Sequence, residues 1–322
     1  MPSARVEVVH VGSAARDIAP DDPRGWRLGG GVTYAALTTA RLGLRTAAVV
    51  GVDREASTAH ELDGLRAAGV DVLPIELPEG PIFHNIETPK GRRQVSMAAG
   101  VPVRPVELPP SWMASRSWSL VPVADEVPDD WVDVIPSDAV VGVAWQGMLR
   151  RMVPGGDVQR VAPSDRAVLR RADLVGLSHL DVAKGTSLGE LAEFLHSGAR
   201  LLVTQGGHGG LLVTTGDDGP VEVLRYLPLP TEDEVDPTGA GDTFLAALLA
   251  VLVRPGIAGS SGRSLARALR FAAAAGSLAV EDIGLAGVPD RESVLIRRGK
   301  ERVRRAVVPS LTDEIGVEDP RQ

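Results

Sequence analysis

From Arg5 to Gly69 the chain alternates between two textures, and this alternation limits its folds more than any other feature. Arg5–Val11 is β-branched and apolar, reads as a buried strand, and runs into a turn at Gly12. Gly29-Gly30-Gly31 then opens an Ala/Leu/Thr stretch, Val32 to Leu42, closed by Gly43 in the manner of a helix C-terminus. Thr46–Val52 predicts a second strand, and His60–Ala68 keeps helical spacing up to Gly69. Strands separated by helices of this length predict a mostly parallel sheet with helices on both faces.

The texture changes from Pro78 to Pro110. Pro78, Pro81, Pro89, Pro102, Pro105, Pro109 and Pro110 leave no room for a long helix. Ile82–Thr88 and Arg93–Ala98 predict two short strands turning at Pro89-Lys90-Gly91, a small flap rather than a core layer. Alternation then resumes. Ser119–Val123, Ala139–Ala144, Leu174–Leu177 and Leu201–Thr204 predict strands, with helical pieces at Ala167–Arg171 and Leu188–His196. Leu211–Thr214 and Val221–Tyr226 predict a second hairpin-like excursion, and Thr243–Leu252 and Ser264–Val280 predict helices. The last dozen or so residues are polar and are expected to fray.

Composition narrows the classes of function. With 44% hydrophobic and 24% charged residues the chain is globular rather than disordered. The absence of cysteine excludes disulfides, thiolate metal sites and a cysteine nucleophile. A formal charge of −8 argues against a nucleic-acid partner. Lys90, Lys184 and Lys300 are the only lysines, so any lysine-dependent chemistry has three candidates. The longest apolar run, Thr243 to Val253, is about half the ~20 residues of a membrane span. The start, Met1-Pro2-Ser3-Ala4-Arg5, leads straight into Val6-Glu7-Val8-Val9, too polar for a signal core. One cytoplasmic domain over 1–322 is the expectation.

Chemistry concentrates in Val235-Asp236-Pro237-Thr238-Gly239-Ala240-Gly241-Asp242-Thr243-Phe244. Pro237 stops the strand expected before it, and Gly239-Ala240-Gly241 are small enough for backbone N–H groups to face a ligand. A helix starts there, so those groups sit at its positive end and make an anion cradle without a lysine. Asp242 stands in the first turn, where the helix dipole alone would favour an acid. A base taking a proton from an attacking hydroxyl explains better why a carboxylate should crowd a phosphate site.

This segment resembles the second signature of the PfkB, or ribokinase-like, kinases, and the resemblance extends from Gly12 to Pro289. It implies a three-layer α/β/α sandwich with a small β lid, drawn from about 12–27 and 78–101. It also implies ATP and Mg²⁺ as cofactors and a small sugar, polyol or cyclitol as substrate. By the same resemblance Gly239, Ala240 and Gly241 form the anion hole and Asp242 is the catalytic base, with Asp236 and Thr238 beside the donor. Val203-Thr204-Gln205-Gly206-Gly207-His208-Gly209-Gly210 resembles the segment bordering the ATP phosphates, which assigns Thr204, Gly206 and Gly209 to the nucleotide. Phe271–Ser277 resembles the helix along the adenine, with Ala273 and Ser277 on one face.

The acceptor falls to the N-terminal half. Asp17 corresponds to the family's hydroxyl-binding Asp, and Gly29 and Gly30 to its glycine pair. Tyr34 stands where sugar kinases such as ribokinase usually carry Asn. Ser178-His179-Leu180-Asp181 replaces the family's Asn-x-x-Glu, so Asp181 is the candidate metal-side carboxylate, one methylene shorter. Gln146 and Arg150, in Ala144–Arg150, are candidate substrate contacts and resemble the myo-inositol kinase branch. Two alternatives stay open: a nucleoside kinase using Tyr34 and Phe83 as a platform for the base, and a non-catalytic ligand-binding relative. The family's lids often pair, which makes a homodimer through the lid an expectation. No nucleic acid or membrane partner is expected.

Overall fold

Val8–Ser13 and Thr46–Val52 are buried at every residue, as central strands covered on both faces must be. The structure, a computed structural model, describes residues 5–88, 91–259, 264–299 and 304–305. Among these, ten strands form the large sheet. Their order is Arg304–Arg305, Gly219–Tyr226, Gly210–Gly216, Arg200–Thr204, Leu174–Ser178, Val140–Ala144, Ser117–Leu120, Val8–Ser13, Thr46–Val52 and Asp71–Glu76. Pairing is parallel from Asp71–Glu76 across to Arg200–Thr204. The remaining three strands are antiparallel.

The expectation of a hairpin excursion at Leu211–Thr214 and Val221–Tyr226 is therefore corrected. The hairpin is welded to the large sheet, because Gly209, at φ 85°, reverses the chain and Leu212, Val213, Val223 and Leu224 find burial there.

Side chains alternate between two cores along each central strand. Val50 and Val52 face a core shared with the helices Gly31–Arg41, Ala240–Val253 and Leu265–Ala279. Ala47 and Val49 face the other, which holds Trp112, Trp118, Trp131 and Trp145. The helix Ala240–Val253 is buried continuously from Thr243 to Val251, which explains why it is apolar all round. Gly142 and Gly176 let it lie close to the sheet: a Cβ would come within 3.2 Å of Leu249 and 2.9 Å of Leu245 respectively. The helix N-terminus is thereby fixed at the carboxyl edge of the strands, where ligands bind in open α/β sheets.

A second sheet of five strands runs Gly156–Asp157, Gly91–Ala99, Pro81–Thr88, Ala15–Ile18 and Trp26–Gly29. The expected lid segments, 12–27 and 78–101, cover three of these strands whole and half of Trp26–Gly29. Gly12 and Ser13 belong to the large sheet instead, and Gly156–Asp157 is an addition. Of the expected Pro89-Lys90-Gly91 turn, residues 89 and 90 lie outside the described residues, as do the expected frayed last residues. Ion pairs tie the small sheet to the body. Arg16 meets Asp53 at 2.8 Å and also Glu55, and Arg24 meets Glu61 at 2.6 Å. The Trp26 ring takes both guanidinium groups, at 5.6 and 4.5 Å from its centroid.

Candidate active site

The strand expected before Pro237 does not form, since Pro228, Pro230 and three successive acids disfavour a ladder over 227–237, and Asp236 instead shapes the turn that leads into the helix. Its Oδ1 accepts from the Thr238 amide at 3.0 Å and the Thr238 hydroxyl at 2.6 Å, and its Oδ2 from the Gly284 amide at 3.1 Å. Gly239 sits in the left-handed region at φ 76°, and a Cβ there would collide with one edge of the Tyr34 ring. Helix bonding begins with the Thr243 amide on the Gly239 carbonyl at 2.8 Å. The amides of Gly241 and Asp242 thus lie in the first turn, which has no acceptors of its own and carries the positive end of the dipole. Gly241 is exposed, with nothing within 4 Å of where its Cβ would be. A small anion can approach the backbone there.

Asp242 is half-buried beside this cradle. Burial pushes its carboxyl up to about 6, the Arg150 guanidinium opposes the rise, and the Asp181 charge adds to it. Arg150 is itself drawn below its ordinary value by burial, offset by Asp181, Asp242 and Asp17 in that order. It lies 3.9 Å from Asp181. Gln146 donates to Asp181 Oδ1 at 3.0 Å, and the Ser178 amide to Oδ2 at 2.8 Å. Both Asp181 oxygens are therefore engaged, and Asp181 with Ser178 forms a capping box for the turn His179–Asp181. Among the described residues no group of three or more His, Asp or Glu side chains could hold a metal ion. This donor set does not fit a protein-built metal cage. It does fit a magnesium ion bound mainly through phosphate oxygens and water.

The acceptor candidates converge on the same place. A Cβ on Gly31 would stand 2.9 Å from Asp242 Oδ1, so the glycine turn 29–31 abuts the carboxylate. Gly30, at φ 97°, caps the Gly31–Arg41 helix. A Cβ on Gly29 would collide with Asp17 Oδ2 across the hairpin. Asp17 Oδ1 accepts from Asn85 Nδ2 at 3.2 Å, and Asn85 Oδ1 from Gln94 Nε2 at 2.8 Å. Strand register sets Phe83, Asn85, Gln94 and Ser96 on one face of the small sheet. Ser96 is fully buried, and its hydroxyl has no hydrogen-bond partner. Tyr34 and Phe83, at 2% and 3% exposure, present no open aromatic platform.

Among the residues expected on the donor side, Thr204 ends the Arg200–Thr204 strand, and its carbonyl meets His179 Nδ1 at 3.1 Å. Gly206 has open space around it, and Gly209 packs so tightly on the Tyr226 carbonyl that no side chain fits. Ala273 is buried, and the Ser277 hydroxyl donates to the Ala274 carbonyl at 3.0 Å. Between them Gly276 packs on Phe244 and the Ala240 carbonyl, joining this helix to the anion turn. Exposed Leu227 and Val235 add apolar surface on the segments flanking these elements.

Four contributors escaped the reading of the sequence. Gly31, in the glycine turn but given no role there, and Asn85, Gln94 and Gly284, which stand in no recognisable motif, touch the site through tertiary contacts. Glu126 is a fifth. Its buried carboxylate, pushed up by desolvation, accepts the amides of Ser13, Val123 and Ala124 and joins the end of the first strand to the loop after Ser117–Leu120.

The chain is similar to known proteins in sequence and in fold. Residues 171–291 match the pfkB family carbohydrate kinase profile. An Arabidopsis thaliana ribokinase is 39% identical over 97 residues, 30% of this chain and 23% of that protein, so the match spans less than a quarter of the relative. A nucleoside kinase of Methanothermobacter thermautotrophicus is 28% identical over 81% of each chain. Among solved structures, Arabidopsis thaliana ribokinase complexed with ribose and ATP superposes with a TM-score of 0.65 at 20% identity, over 92% of this chain and 99% of that one. A pyrophosphate-dependent kinase in the ribokinase family, complexed with a pyrophosphate analog and myo-inositol, gives 0.62 at 21% identity, over 89% and 98%. A pyrophosphate-dependent myo-inositol-1 kinase, converted into a myo-inositol-3 kinase by replacing one Asn and one Ser with Leu, gives 0.61 at 19%, over 91% and 98%. The fold is the ribokinase-like three-layer sandwich.

Proposed function

We propose that the chain is a kinase of the PfkB carbohydrate kinase family, whose profile residues 171–291 match, and that it transfers the terminal phosphoryl group of ATP to a hydroxyl of a small cyclitol, sugar or other polyol. The position of Asp242 carries this reading. One carboxylate borders both the first-turn amides and the Gly31 backbone of the acceptor side. Raised to about 6, it is ionised at neutral pH yet basic enough to take a proton from an attacking hydroxyl. The backbone of Gly239, Ala240 and Gly241 stabilises the charge on the moving phosphoryl group. Arg150, among Asp17, Asp181 and Asp242, balances the charge between the two seats. Magnesium, when bound, would neutralise charge on the phosphates, and Asp181, fixed by Gln146 and the Ser178 amide, is the carboxylate that would help to hold it. The small sheet acts as the lid that holds the acceptor over Asp242.

A polyol is favoured by the inner face of that lid. Asp17, Asn85 and Gln94 offer carboxylate and amide groups suited to a ring of hydroxyls. Asn85 and Ser96 repeat, in type and in their eleven-residue separation, the Asn and Ser whose replacement converts the myo-inositol kinase. A nucleoside acceptor is the second reading, supported by relatives matched over most of the chain.

Turnover by the purified full chain with ATP or pyrophosphate, against inositols, sugars and nucleosides, tests both. ATP-dependent phosphorylation of a cyclitol or sugar is expected. Turnover of nucleosides alone would replace the acceptor, and pyrophosphate alone would replace the donor. Binding without turnover across the panel would favour a non-catalytic relative.

A further inference from the structure

The Tyr34 ring lies between the two seats of the cleft. It stands in the first turn of the Gly31–Arg41 helix, next to the glycine turn that abuts Asp242. Its edge carbons Cγ, Cδ1 and Cε1 occupy the space where Gly239 would carry a Cβ. On the other edge, Cε2 is 3.8 Å from the Cβ position of Gly29, the residue packed on Asp17. Its hydroxyl points toward Gly284, 3.8 Å from that Cβ position, and the Gly284 amide in turn holds Asp236 Oδ2 at 3.1 Å. One side chain thus touches the acceptor turn, the anion turn and the loop that anchors Asp236. At 2% exposure it leaves a bound acceptor almost no surface to stack on.

We infer that Tyr34 is a positioning residue for the anion turn, coupling it to the acceptor turn, and not a substrate contact. Gly239 is held at φ 76° by chain geometry on one side and by the ring on the other. With the ring gone, the glycine has no Cβ to limit it and nothing to rest against, so the amides of the turn lose their aim. Transition-state stabilisation depends on donors that need no reorganisation. Misplacement by about 1 Å can cost ~10²-fold in rate. The role rests on the kinase reading for its effect on turnover, but not for its effect on the turn.

The test therefore reads both. Tyr34→Leu and Tyr34→Ala should lower kcat by about ten- to a hundredfold, with acceptor KM within about threefold, while Tyr34→Phe restores most of kcat. Amide hydrogen exchange of the ligand-free proteins should show residues 237–242 exchanging roughly tenfold faster in Tyr34→Leu, with the Ala240–Val253 helix beyond its first turn unchanged. If Tyr34→Ala does not fold, Tyr34→Leu, which keeps most of the volume, decides. A rise in acceptor KM with kcat retained would overturn the inference in favour of direct contact. Unchanged exchange in 237–242 would overturn it whether or not the wild-type chain turns over a substrate. An inactive wild type with accelerated exchange in the variant would sink the kinase reading alone.

Discussion

In the proposed kinase the donor half of the cleft is made of backbone and the acceptor half of side chains. Gly239, Ala240 and Gly241 offer amides and empty space, in a turn fixed by Asp236 and by the buried helix behind it. Asp17, Asn85 and Gln94 offer carboxylate and amide groups on a small sheet that is joined to the body partly by ion pairs. A phosphate is the same in every donor, so a rigid backbone cradle suits it. Acceptors differ in where their hydroxyls point, and side chains can change without rebuilding the fold. Asp242 belongs to the first half by its position and to the second by its chemistry.

The largest effect should follow from breaking that junction. Asp242→Asn keeps the size and removes the proton acceptor, so kcat should fall by ~10²–10⁴. Retention of more than about a tenth of wild-type kcat would rule out Asp242 as the general base. Melting temperature separates this from a structural role. Between the ordinary 3.8 and about 6, the folded protein binds more protons at Asp242 than the unfolded chain does. Its contribution to stability therefore falls as pH rises through that window and stays low above it. The Asn variant should melt no lower than wild type at pH 7, whereas a helix-dipole role would cost ~0.3–1 kcal/mol.

Next in size is the acceptor carboxylate. Asp17→Ala removes charge-assisted hydrogen bonds worth roughly 1.5–3 kcal/mol each, so acceptor KM should rise about ten- to a hundredfold. ATP KM should stay within about twofold, and equal losses on both substrates would erase the division between the halves. Acid comes third: kcat should drop about tenfold per pH unit below the Asp242 value near 6, and a flat profile from pH 5 to 7 would count against the base. The smallest shift belongs to Asn85→Leu, which cuts the link from Gln94 to Asp17. Relative kcat/KM among inositol and sugar isomers should change by about three- to tenfold with the ATP affinity constant. Unaltered selectivity would remove Asn85 from acceptor recognition.

The two halves also differ in how far residue order discloses them. The anion turn and its helix are contiguous, and glycine, proline and acid follow one another for reasons local to the chain. Thr46–Val52 and the Ala167–Arg171 helix are equally local, and their boundaries match the structure. The acceptor face depends on register. A bulge between Ile82 and Phe83 decides which side of the sheet Asn85 and Gln94 take, and no residue in the hairpin announces it. Strand Asp71–Glu76 escapes notice because Pro74 and two acids interrupt its pattern, which an edge strand tolerates. The hairpin Gly210–Tyr226 could be recognised as a hairpin, but its partner strand lies earlier in the chain and is fixed only by the sheet.

The ion pairs at the base of the small sheet carry one last consequence. Arg16 and Arg24 reach Asp53, Glu55 and Glu61 where added salt weakens such pairs, by amounts that are individually small. In the proposed kinase a cleft that opens more readily would admit solvent, and water is itself a hydroxyl that Asp242 would deprotonate. Ionic strength should therefore govern fidelity as well as affinity: how often the phosphoryl group is wasted on hydrolysis rather than handed to the intended acceptor.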